Sequence, residues 1–383
     1  MSRMERGLKL LSAIKQISRK SLEQFYYRSM PSYGQEGPNP YSDLALKFPV
    51  LKEYFLPHVM YPTEVDKSRS RVGMHHMFLF FKTLIQTLQQ YPQAFEDLPP
   101  TDLFWSEKRM NEGLNSRRLI AEHGWLPRSG YQISNCGANG RGAPPELASG
   151  DSYLKILGGK ENVCCRLERM NKVYCSNIPK LATIDSQNAF IVAPMQLGND
   201  LNLRDSSTKF SRHFGNDNST QLFVDDFVAT INDYDLPFPV YFTQHPIDGE
   251  NRKIELRKND RFFPSGEGVS TLSLIHNSRC QGMISVNSNM VHEALCLNVP
   301  CCALGRLYWR EGQDSPFEQD PVKFFSNPQL KPHDNPVVLD YLAKLLCHQW
   351  YLTDLQNPLI VRELILDDGT NVPYQIRKNF SVI

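Results

Sequence analysis

Four short apolar runs, each closed by polar residues, recur through the second half of the sequence and constrain the fold more than anything else in it. They are Ala189-Phe190-Ile191-Val192-Ala193-Pro194, Pro239-Val240-Tyr241-Phe242-Thr243, Gly282 to Val286, and Val299 to Leu304. A strand buried on both faces has no solvent side to fill with polar residues, so it reads as a continuous apolar run of about this length. Helical patterns separate the runs, over Leu222 to Asn232, Leu272 to Asn277 and Val291 to Leu297. Strands alternating with helices in this way predict a parallel α/β sheet.

The first half is less regular. Gly37 to Thr63 is rich in Pro and Tyr and reads as loops with short helices, while helical periodicity covers Gly73 to Tyr91 and Ser106 to His123. A glycine-rich loop follows, Gly137-Ala138-Asn139-Gly140-Arg141-Gly142. Its glycine spacing is not that of a dinucleotide fingerprint, and no strong strand precedes it. The boundary between the halves is expected near Thr183 to Asn188, and beyond about Asp334 the chain reads as further helices and a polar tail. Near the N-terminus, Leu8, Leu11, Ile14 and Ile17 share a helical face among Lys9, Lys15, Arg19 and Lys20. Such a segment fits an anionic membrane surface or a face of its own domain equally well.

Charge narrows the choice of partners. Lys plus Arg number 42 against 41 for Asp plus Glu, so the chain lacks the strongly basic footprint of a general nucleic-acid binder. The nine cysteines contain no Cys-x-x-Cys pair, and several sit in apolar runs such as Val299-Pro300-Cys301-Cys302-Ala303-Leu304. They are expected to be reduced core residues of a cytoplasmic protein. The start of the sequence has no signal-peptide pattern, and the apolar stretch Met74 to Tyr91 contains His75, His76 and Lys82, which argues against a bilayer span.

In an open α/β sheet, ligands bind beyond the carboxyl ends of the strands. Polar residues follow three of the predicted strands. Gln196-Leu197-Gly198-Asn199-Asp200 comes after the first, Gln244-His245-Pro246 after the second, and Asn287-Ser288-Asn289 after the third, leading into a helix that carries Glu293. Ser288 or Asn289 can cap that helix near a phosphate. His245, held extended by the following proline, can donate to a phosphate oxygen. Asp200 can act as nucleophile or electrostatic stabiliser, and Glu293 can accept from ribose hydroxyls. Each has a plainer alternative: Asn-Asp as a turn, Ser288 as a helix cap alone, His-Pro as an ordinary loop. His292-Glu293 is not a zincin motif, because position 296 is Cys. Asp233-Tyr234-Asp235 precedes the second strand, on the wrong side of the sheet, and reads as a loop.

Taken in order, Pro194-Met195-Gln196 with Asp200, His245-Pro246, Val286-Asn287-Ser288 with Glu293-Ala294-Leu295, and Pro300 to Gly305 with Tyr308 resemble the bacterial capsule-polysaccharide biosynthesis family. That family includes retaining β-Kdo transferases of capsule linkers and of O-antigens in lipopolysaccharide; Kdo is an acidic eight-carbon sugar. In the first half, Glu122-His123-Gly124-Trp125 followed by Arg128-Ser129 matches as well, with Pro127 an extra residue.

The resemblance implies a GT-B α/β fold, two Rossmann-like domains facing a central cleft. The divisions would be an acceptor-side domain over residues 1–185, a CMP-sugar domain over 186–345, and a helical tail over 346–383 that packs back on the first domain. It implies a donor, CMP-β-Kdo, and a glycan or glycolipid acceptor, with no cofactor, no metal and no nucleic acid. Peripheral contact with the inner membrane or with capsule and lipopolysaccharide assembly proteins would accompany such work. His245 and Ser288 would bind the CMP phosphate, Glu293 the ribose, and Gln196 and Asn287 would belong to the same nucleotide-sugar site. Asp200 would be the nucleophile and Glu122 the general base, with Arg128, Arg141 or Arg204 for the Kdo carboxylate. Two rivals stand beside this: a sialyltransferase using CMP-sialic acid, which needs no enzyme nucleophile, and a non-catalytic capsule assembly or export factor.

Overall fold

The computed structural model describes residues 80–380 except positions 81–82, 85, 89, 99–100, 106–116, 127–129, 138–141, 143, 145–146, 148–150, 177–187, 207, 217, 246–253, 265–268, 309–316, 328 and 367–371. The expectations for the N-terminal amphipathic segment, for Gly37 to Thr63 and for the boundary at 183–187 lie outside the described residues. By internal contact the chain forms two compact units. Unit 1 takes Met1–Gly124, Gly130–Ala138 and His348–Ile383, and unit 2 takes Trp125–Ser129 and Asn139–Cys347.

Unit 1 begins with strands β1 (Thr101–Trp105), β2 (Arg117–His123) and β3 (Tyr131–Ser134). β2 lies in the middle, parallel to β1 and antiparallel to β3. The helical expectation over Ser106 to His123 is therefore wrong from Arg117 onward. Leu119 and Ala121, two apart, belong to the core with Tyr131. Pairing on both edges satisfies the β2 backbone, and this overrides a weak local period.

In unit 2 the elements run α1 (Tyr153–Ile156), α2 (Lys160–Ser176), β4 (Phe190–Pro194), α3 (Leu201–Arg204), a 3-10 turn at Lys209–His213, α4 (Ser219–Asp233), β5 (Val240–Thr243), β6 (Arg261–Phe263), α5 (Thr271–Ile275), β7 (Cys280–Ser285), α6 (Met290–Cys296), β8 (Cys301–Ala303), α7 (Pro321–Ser326) and α8 (Pro336–His348). All five strands pair in parallel, in the order β6-β5-β4-β7-β8. Numbered within the sheet this is 3-2-1-4-5, the order of a Rossmann-like domain, with its reversal between β4 and β7. β4 and β5 are buried at every position, which explains their unbroken apolar text.

α4 shows why a helix forms and where it docks. Phe223, Val224, Phe227, Val228 and Ile231 fall on one stripe, and all are buried against Ile191, Val240, Phe242 and Ile284. Cys280, Cys296, Cys301, Cys302 and Cys347 are buried free thiols, whereas Cys136 and Cys165 are exposed and depart from the core expectation; burial pushes Cys280 up to about 11, so it is an inert hydrophobe at neutral pH.

The chain then returns to unit 1 through α9 (Leu352–Leu355), α10 (Pro358–Leu366) and α11 (Pro373–Phe380). Trp350 exchanges two backbone hydrogen bonds of 2.8 Å with Tyr131, and Leu355, Ile360, Val361, Leu364 and Ile376 complete the core around Leu119 and Ala121. The described strands of unit 1 form a mixed three-stranded sheet, so one Rossmann-like domain is present and the second member of a GT-B pair is not shown. Among the described residues no helix is long and apolar enough to cross a membrane.

The turn before α4 is tied to it electrostatically. Asp226 lies 2.9 Å from His213 Nε2, 3.0 Å from Arg212 Nη2 and 3.7 Å from Lys209 Nζ. Burial raises the Asp226 carboxyl, but the His213 hydrogen bond and the two cations outweigh it and hold the pKa below its ordinary value. A carboxylate lowered in this way adds stability above its unfolded pKa and loses it as pH falls through the folded one. Asp226→Asn is expected to lower the thermal midpoint near neutral pH, and the gap to wild type should close as the pH drops below about 4. Melting curves across the acid range check this.

Candidate active site

The site is built where β5, β4 and β7 lie side by side and end. Backbone groups beyond a strand have lost their ladder partners, so the loops there must be held by side chains or by one another. Gln196, 1% exposed, leaves β4 and pairs with Asn287, 3% exposed, which leaves β7. Gln196 Nε2 donates to Asn287 Oδ1 at 3.2 Å, and Gln196 Oε1 accepts from the Asn287 backbone N–H at 3.2 Å. Asn287 Nδ2 also donates to the carbonyls of Asn202, at 2.5 Å, and Arg306, at 2.9 Å. The two amides thus bind the ends of β4 and β7, helix α3 and the segment after β8 into one buried knot.

Asp200 is the N-cap of α3. Its carboxylate accepts from the Asn202 N–H at 2.9 Å, and the half-buried side chain sits in the loop directly beyond β4. The turn-forming alternative is thus part of its role: a four-residue helix needs a cap, and an Asp at that position supplies it. Gly198 makes the loop possible. A Cβ there would run into the Ser219 carbonyl at the start of α4, and its N–H donates to Thr220 Oγ1 at 3.1 Å.

His245 follows β5 and is partly exposed; the preceding Gln244 N–H donates to the Phe263 carbonyl of β6 at 3.1 Å. Pro246 lies outside the described residues, as do Arg128 and Arg141. Ser288 is partly exposed beyond β7. Its N–H donates to Ser285 Oγ and its own Oγ accepts from the Met290 N–H, both at 3.3 Å. Gln196, Asp200, His245, Asn287 and Ser288 therefore all stand at the carboxyl ends of three neighbouring strands.

The remaining expected residues are placed differently. Glu293 is 3% exposed on α6, and its charge adds to burial in raising the Cys296 thiol. Arg204 is engaged with its neighbour: Nε and Nη2 each lie 2.8 Å from a different oxygen of the Asp205 carboxylate. Asp233 closes α4 ahead of β5, at the opposite end of the sheet. Glu122 belongs to unit 1, opposite Gln132 on β3, and its Oε1 accepts from the His123 N–H at 3.0 Å.

An aromatic brace behind Ser288 has no counterpart in the sequence analysis beyond Tyr308. Tyr308 donates its hydroxyl to Asn289 Oδ1 at 2.5 Å, and its N–H donates to the Tyr341 hydroxyl at 3.3 Å. His292 Nε2 lies 2.8 Å from that same hydroxyl, with its ring 4.9 Å from Tyr308. Complete burial pushes His292 down to about 3, so it is a neutral packing group near pH 7 and not an acid or base. Asn202 was also missed. A buried Asn between Leu201 and Leu203 carries no local signal, because its role depends on a strand end 85 residues away.

Among solved structures, the chain is similar to Thermosulfurimonas dismutans KpsC, beta Kdo 2,7 transferase, at 16% identity and a TM-score of 0.40, covering 73% of this chain and 88% of that one. It is also similar to Thermosulfurimonas dismutans KpsC, beta Kdo 2,4 transferase, at 15% identity and a TM-score of 0.39, covering 63% and 78%. The chain has a structural likeness to KpsC. No family model matches it, and no curated protein does. At this level the likeness assigns no activity by itself.

Gly198→Ala should destabilise the protein by about 1–3 kcal/mol, because the added methyl meets backbone that cannot swing aside. Urea unfolding of the variant against wild type measures it.

Proposed function

We propose that this protein is a retaining β-Kdo glycosyltransferase that moves Kdo from CMP-β-Kdo to a surface polysaccharide or glycolipid acceptor. The observation that carries the reading is the grouping of Asp200, His245 and Ser288 at the carboxyl ends of β4, β5 and β7, on both sides of the point where the strand order reverses. Such a place suits a nucleotide-linked ligand. The ordered sequence motifs supply the identity of the sugar.

In the first step an Asp200 oxygen forms a bond to the anomeric carbon of Kdo. The bond from that carbon to the phosphate oxygen breaks, and CMP departs with the electron pair. His245 and Ser288 donate hydrogen bonds to the phosphate as its charge develops, which lowers the barrier most when the donors are already in place. Glu122 then takes the proton of the acceptor hydroxyl. That oxygen attacks the anomeric carbon, and Asp200 leaves as a carboxylate. Two inversions give net retention, so the product is β-linked. Glu293 serves the ribose, while Arg128 or Arg141 offers a cation to the sugar carboxylate. The protein would work at the cytoplasmic face of the inner membrane, where such acceptors are assembled.

Intact-protein mass spectrometry after incubation with CMP-Kdo generated in situ tests the reading. Wild type is expected to gain the mass of one Kdo unit, and Asp200→Ala is expected to gain none. CMP release that stays at background with every candidate acceptor, together with turnover of CMP-sialic acid, would replace Kdo by sialic acid as the donor.

A further inference from the structure

We infer that Asn287 is a positioning residue, which fixes the nucleophile loop and the phosphate loop relative to each other and does not touch the donor. The inference rests on the roles proposed above for Asp200 and Ser288. The geometry of the side chain leads to it. A primary amide offers two donor hydrogens and an acceptor oxygen. In Asn287 the two donors go to the carbonyls of Asn202 and Arg306, and the acceptor receives Gln196 Nε2. At 3% exposure, with every hydrogen of the amide engaged inside the protein, the group is committed to its neighbours.

Those neighbours are the parts the chemistry needs aligned. The peptide groups of Asn202 reach in both directions: its N–H holds the Asp200 carboxylate at 2.9 Å, and its carbonyl receives the Asn287 amide. Ser288 follows Asn287 directly in the chain. One side chain thus links the atom proposed to attack the sugar with the residue proposed to hold the departing phosphate. The Arg306 carbonyl adds a third anchor, and the Arg306 N–H is itself held by the Ser206 carbonyl at 2.9 Å, just past α3. A misplacement of about 1 Å between reacting groups costs on the order of 100-fold in rate, whereas donor affinity, spread over His245, Ser288 and Glu293, responds less to where Asp200 stands.

Asn287→Asp keeps the shape and the acceptor but turns two donor hydrogens into a lone-pair oxygen facing two carbonyls. It is read beside Gln196→Met, which removes the partner amide at similar volume and leaves the Asn202 and Arg306 bonds in place. Both are compared with wild type for donor KM, kcat and backbone hydrogen exchange. The expected result for Asn287→Asp is a fall in kcat of about 100-fold with donor KM changed less than about threefold. Exchange should quicken over 197–206 and 286–290 and stay unchanged in β5. Gln196→Met should move the same quantities in the same direction by less, and it decides the matter if Asn287→Asp does not fold. A rise in KM at unchanged kcat would mean that Asn287 binds the donor directly, and unchanged kinetics in either folded variant would equally overturn the inference. Should wild type transfer no Kdo, the proposed function fails on its own. The exchange measurement then still judges the positioning role, because unaltered exchange at Asn202 and Ser288 in the variants would sink it.

Discussion

The hydrogen-bonded pair of Gln196 and Asn287 is the constraint on which the arrangement of the site depends. Parallel strands fix each other only as far as their ladders run, and β4 and β7 stop at Pro194 and Ser285. Beyond those points the two segments lead on to α3 and α6, and no ladder pair joins them. A buried amide left without a partner costs about 1–3 kcal/mol, so two amides that satisfy each other and three backbone groups admit very few alternative arrangements. The polar knot supplies a specificity that the apolar core beneath it cannot.

That core plays a different part. The Phe223, Phe227 and Phe242 rings pack α4 onto the sheet with centroids 5.5 to 6.4 Å apart, making a rigid floor under the loops. Gly198 lets the β4 loop approach the start of α4 more closely than any side chain would permit. On the other side of Ser288, Tyr308 and His292 hold Asn289 and the first turn of α6 by ring packing and hydrogen bonds. Loops positioned by both polar and aromatic contacts are suited to placing reacting groups, since each contact restricts a different motion.

The sequence makes the sheet of unit 2 legible because burial on both faces leaves continuous apolar runs, and β4, β5, β7 and β8 are all found within a residue or two of their expected bounds. β6 was not seen: three residues, Arg261-Phe262-Phe263, at an exposed edge have too little pattern to distinguish them from a loop. β2 was misread for a related reason, since strand pairing with β1 and β3 lies outside any local window. For the site, the strand-end rule places Gln196, Asp200, His245, Asn287 and Ser288 together from the sequence alone. It could not reveal that Asn287 faces inward, nor that Arg204 is paired with Asp205, because both depend on which way a side chain turns.

The division of unit 1 into three stretches of sequence has a consequence for how the chain matures. Leu119, Ala121 and Tyr131 share their core with Trp350, Leu355, Ile360 and Val361, and the long stretch of unit 2 from Asn139 to Cys347 is translated in between. During synthesis the domain encoded in the middle can close around its own sheet while the earlier strands still wait for their covering helices. Unit 2 is thus the natural first folding event, and the exposed faces of β2 and β3 form the interval in which a nascent chain is most open to chaperones and to misassociation.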